Sequence, residues 1–69
     1  MSTNKILNSL KKEEEIKEEI RDTRLHIKDM EAELEHFHVR EPNEVESIAR
    51  IEKHIDDLYS SLDELYDKL

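Results

Sequence analysis

Apolar residues recur along this chain at intervals of three and four. Ile48, Ile51, Ile55, Leu58, Leu62, Leu65 and Leu69 alternate those steps without a break, which is the repeat of a narrow helical seam. Upstream, Ile16, Ile20, Thr23, Ile27, Met30, Leu34 and Phe37 form a second seam with the same alternation, and Thr23 is its one polar member. Between the seams stands the only strong punctuation, Arg40-Glu41-Pro42-Asn43-Glu44-Val45-Glu46. Proline excludes its predecessor from helical geometry, so Glu41 belongs outside the first helix. Asn43 is placed to cap a second helix, and Glu46 three residues later completes a capping-box pattern. The pattern predicts a first helix to about residue 39, a turn at about 40–43 and a second helix over about 44–69. A single kinked helix is the alternative.

Folding at the turn brings the seams together antiparallel, in the layers Phe37/Ile48, Leu34/Ile51, Met30/Ile55, Ile27/Leu58, Thr23/Leu62, Ile20/Leu65 and Ile16/Leu69. One step further, the first seam would place Glu13 and Ser9 at core positions, so it stops where its partner runs out. This agreement between two separate patterns predicts an all-α fold, an antiparallel two-helix hairpin over residues 16–69. On its flanks the same register sets Glu19 opposite Lys68, Glu33 opposite His54, Arg24 against Tyr59 and Lys17 against Tyr66, with Glu31 and Glu52 as a like-charge mismatch. Such exposed pairs contribute tenths of a kcal/mol and select the register more than they hold it.

A two-helix unit is marginal by itself, so further burial is expected. Val45, Tyr59 and Tyr66 widen one edge of the second helix, while Leu25, Ala32 and Val39 repeat every seven residues on the outside of the first. Covering one of these surfaces with a second copy gives a homodimeric four-helix bundle. Residues 1–15 have no mate within the hairpin and form an N-terminal overhang. Ile6, Leu7, Leu10 and Lys11 make it a docking arm for a second subunit or a different protein; a disordered tail is the competing expectation.

Composition narrows the possibilities. The 69 residues are 43% charged, with no glycine, one proline and no cysteine. That balance suits long helices with a thin apolar face and excludes disulfides and thiolate metal sites. Residues 1–40 hold eight basic and ten acidic side chains, and residues 41–69 three basic and nine acidic. A surface with net charge −8 repels phosphate, which argues against direct nucleic-acid binding. No apolar run exceeds two residues, leaving neither a membrane span nor a secretory signal; a cytoplasmic setting is expected.

Little catalytic chemistry presents itself. His36 and His38 flank Phe37 and point to different sides of a helix. His26 and His54 lie on flanks of different helices, more than one turn apart in the register above, so no metal site and no cofactor is expected. The carboxylates of Glu13–Glu15 and Asp56–Asp57 lack the shielding that acid–base work needs, and no glycine exists to build a phosphate-cradling loop. An enzyme is not expected. Glu46, Asp56, Asp57, Asp63, Glu64 and Asp67 form an acidic outer face, which serves solubility or mimics nucleic-acid charge toward a basic groove on another protein.

The stretch His-Ile-Asp-Asp-Leu-Tyr-Ser-Ser-Leu, His54 to Leu62, resembles part of the second helix of the Rop family of plasmid RNA-binding hairpins, which dimerise as four-helix bundles. The likeness covers about nine residues. That family contacts RNA through basic and aromatic residues of its first helices; here that helix is net acidic, and no binding residue carries over. The size and two-helix layout also resemble small aspartyl phosphatases whose signature is Ser-Gln-Glu-Leu-Asp. The matching stretch, Ser47-Ile48-Ala49-Arg50-Ile51, keeps the serine and lacks the aspartate. The expected role is therefore protein–protein interaction, as a regulator, inhibitor or adaptor of a partner protein. An assembly or scaffold subunit and an acidic nucleic-acid mimic are the alternatives. Compact acidic hairpins also fit products of phages or mobile elements, by analogy alone.

Overall fold

A computed structural model describes the backbone of residues 2–69 and the side chains of residues 8–69. Two helices make up the fold, α1 over Ser2–Arg40 and α2 over Val45–Asp67. They pack against each other as a hairpin that measures 61 × 14 × 11 Å along its principal axes. At the usual rise α1 is about 58 Å long and α2 about 34 Å, so α1 runs well past the end of α2.

The turn is built around Pro42. The Glu41 amide still donates to the Phe37 carbonyl at 2.8 Å, and the Glu41 carbonyl then accepts from the Glu44 amide at 3.1 Å. Proline, with its fixed φ, sits at the second position of this four-residue turn, where that constraint is favourable. Helix-end charges support the same stop and start: His38 and Arg40 lie in the last turn of α1 and Glu46 in the first turn of α2, each complementing the local dipole.

The expected Asn43 cap does not form. The N-cap is Glu44, with no side-chain capping bond. The turn engages one amide that an Asn43 cap could use: the Val45 amide donates to the Asn43 carbonyl at 2.9 Å, while the Glu44 amide points to Glu41. The first helical bond of α2 runs from the Ile48 amide to the Glu44 carbonyl at 3.0 Å, so the helix starts one residue later than the capping pattern implies. At its far end α2 stops at Asp67, and the Lys68 and Leu69 amides reach back only three residues, to the carbonyls of Leu65 and Tyr66. This tightened turn satisfies two of the final carbonyls that α-helical bonding leaves free.

The core is the pair of seams. Ile20, Ile27, Ile51, Ile55 and Leu65 are buried, and Ile16, Thr23, Met30, Leu34, Phe37, Ile48, Leu58 and Leu62 are half-buried. Apart from Ser47, every other described side chain is exposed. Thirteen of the fourteen seam positions are therefore the covered ones, as helical periodicity requires of two rods that share one stripe. The exception is Leu69, which is 53% exposed. It lies beyond the last residue of α2, in a groove with Ile16, Ser9, Lys12 and Glu13, and no further layer closes over it. Even Ile27, the most enclosed side chain, keeps 4% of its surface accessible, because two helices cannot surround a residue on every side.

Candidate functional site

The hairpin has two flat edges, and they differ in chemistry. One carries Val45, Tyr59 and Tyr66 of α2, which are 69%, 46% and 46% exposed. Here the Arg24 Nη1 donates to the Tyr66 hydroxyl at 3.4 Å, and the Tyr59 hydroxyl donates to Glu31 Oε1 at 3.5 Å. Both are long, weak bonds. They line one groove with Ile27 and Leu62 at its floor.

These partners differ from the expected ones by one heptad: Arg24 meets Tyr66 instead of Tyr59, and Tyr59 meets Glu31. The displacement has a mechanical cause. Side chains on a helix lean toward its N-terminus. In an antiparallel pair Arg24 therefore leans toward the C-terminal end of α2, and Tyr66 leans back to meet it. Arg24 and Tyr59 would lean apart. The Glu31–Glu52 mismatch loses importance, because the Glu31 carboxylate accepts a tyrosine hydroxyl.

The opposite edge is polar. His26 and His54 meet there with ring centroids 5.1 Å apart and planes at 61°. The rings reach each other across the offset that the register leaves between them, so His54 faces a second imidazole where Glu33 was expected. Glu19 and Lys68 line a groove on this edge with Asp22, Thr23, Ser61, Glu64 and Leu65, so that expected pair does share a site. His36 stacks edge-on to its neighbour Phe37, with centroids at 6.1 Å.

A further patch escaped the sequence reading. Lys17, Arg21, Arg24 and Lys28 surround a hollow on α1 together with Ile20 and Leu25. The four cations follow steps of four, three and four, which places them on one stripe beside the tyrosine edge. That spacing was legible, but the net acidity of the helix obscured it. Leu25 is 55% exposed and Val39 70%, and Ala32 between them is also exposed. The acidic face of Glu46, Asp56, Asp57, Asp63, Glu64 and Asp67 lies wholly on the surface. In the overhang, Leu10 is 50% exposed and Lys11 is exposed; Ile6 and Leu7 lie outside the described side chains.

Every described charged side chain and histidine is exposed. Among the described residues no group of three or more histidines, cysteines or carboxylates is arranged to hold a metal ion, no buried side-chain polar atom lacks a partner, and no helix is long and apolar enough to cross a membrane. Set against models of known protein families, curated proteins and solved structures, the chain matches none of them.

Proposed function

We propose that this chain is a non-enzymatic interaction protein: a self-associating helical hairpin that regulates, inhibits or adapts a protein partner in the cytoplasm. The observation that carries this reading is the distribution of its apolar surface. One seam is covered, while Leu10, Leu25, Val39, Val45, Tyr59 and Tyr66 stay about half exposed or more on a molecule of only 69 residues. Apolar groups held out on a rigid rod are contact surface, and tyrosine and arginine together are typical of binding faces. Exposed carboxylates and imidazoles without an enclosing cavity lack what acid–base catalysis uses, and the acidic surface repels nucleic acid.

The arm is the partner-binding segment in this proposal. Removing residues 1–12 tests it. A regulator that grips through the arm keeps its oligomeric state and loses its partner in capture from host extract. An assembly subunit loses its oligomeric state instead, and that outcome replaces the regulator reading with the scaffold one. A nucleic-acid mimic is recognised by salt: its binding to a basic protein weakens steeply between low and moderate ionic strength, and arm-driven binding holds.

A further inference from the structure

The two edges of the hairpin offer different surfaces to a second copy. The tyrosine edge holds Val45, Tyr59 and Tyr66 among the exposed large apolar side chains, with Leu25 just behind its cationic rim, whereas the histidine edge contributes none among the described residues. The tyrosine edge is also bordered by opposite charges. Along α1 its outer rim is Arg21 and Lys28, which share the cationic hollow with Lys17 and Arg24. Along α2 the corresponding helical positions, one heptad apart, are Asp56 and Asp63. The seam register places Arg21 nearly level with Asp63, and Lys28 with Asp56, across the width of the hairpin.

We propose that two copies pack face to face through this edge, related by a two-fold axis parallel to the helices. That operation sets α1 of one copy against α2 of the other and keeps both turns at the same end. Arg21 then meets Asp63 of the second copy and Lys28 meets its Asp56, and the symmetry repeats both pairs. An isologous interface needs such self-complementarity. A two-fold perpendicular to the helices would set α1 against α1 and leave the two acidic rims of α2 facing each other. The inference rests on the self-association proposed above and deepens it by naming the face and the orientation.

Charge reversal on each rim separately provides the test, read by sedimentation equilibrium, with circular dichroism to establish that each hairpin remains helical. Arg21→Asp with Lys28→Asp, and in a second protein Asp56→Lys with Asp63→Arg, are each expected to weaken self-association about 100-fold, since like charges set face to face cost several kcal/mol. Mixed one to one, the two proteins are expected to form a heterodimer, because every rim contact is then complementary. Spin labels at Asn43 are expected to lie within the width of a bundle in the wild-type dimer. Four outcomes are decisive. Reversed variants that dimerise like the wild type, or a mixture that stays monomeric, overturn the face. Labels a helix length apart overturn the orientation and leave self-association standing. A monomeric wild type removes both this inference and the self-association on which it rests.

Discussion

The two halves of α1 belong to one uninterrupted helix yet live in different surroundings. From Asn8 to Glu15 every side chain is exposed, whereas from Ile16 onward every third or fourth residue is covered by α2. Backbone hydrogen bonding is the same kind in both halves, so the difference lies in side-chain burial. A long helix in water draws most of its stability from packing an apolar face, and less from propensity. The paired half supplies that face to the hairpin. The bare half carries helix-forming residues without a mate, and its first turn holds no carboxylate, which leaves the helix dipole uncompensated.

The contrast is most exposed to failure at single apolar residues. Ile27→Asp, in the most enclosed position, places an unpaired charge in the seam and is expected to abolish the cooperative unfolding transition seen by circular dichroism. Leu10→Asp is expected to leave that transition in place, within about 0.5 kcal/mol. If both substitutions unfold the protein alike, something covers the bare half and the contrast between the halves is wrong.

A smaller effect tests where the pairing ends. Leu65 is 9% exposed and Leu69 53%, although both occupy seam positions. In urea denaturation Leu65→Ala is expected to cost about 2 kcal/mol, and Leu69→Ala a few tenths. Equal losses would mean that the terminal layer is closed in solution.

Thr23 sharpens the comparison from within the paired half. It is half-buried and opposite Leu62 in the register, and Thr23→Ile adds apolar volume to a seam otherwise without a polar side chain. A gain of about 1 kcal/mol is expected, near the worth of one buried methylene with loss of the hydroxyl; a loss would show that the hydroxyl holds a bond the packing requires. The smallest effect is assigned to the tyrosine edge. Tyr66→Phe deletes an exposed bond of 3.4 Å and is expected to shift stability by less than about 0.5 kcal/mol.

What was readable beforehand divides along the same physical line. The seams were legible because each is a one-dimensional pattern: spacing alone decides which residues share a helical face, and thirteen of the fourteen seam positions so predicted are covered. Pro42 was legible as a stop because its constraint acts on its own neighbour. The Asn43 cap misled because the turn around Pro42 sets the helix start one residue later, at Glu44, and spends the Val45 amide on the Asn43 carbonyl. The cationic stripe of Lys17, Arg21, Arg24 and Lys28 was available as spacing and hidden by averaging charge over the whole helix.

Sequence alone therefore determined the two amphipathic rods, the bend between them and the residues they bury, because those follow from local backbone limits and helical period. The tertiary structure decided which flanking side chains touch. Arg24 reaches Tyr66, Tyr59 reaches Glu31 and His26 meets His54, and none of these pairs follows from spacing. Long side chains reach more than one helical turn along the partner helix, so their contacts are settled by the direction in which they lean once the helices lie side by side.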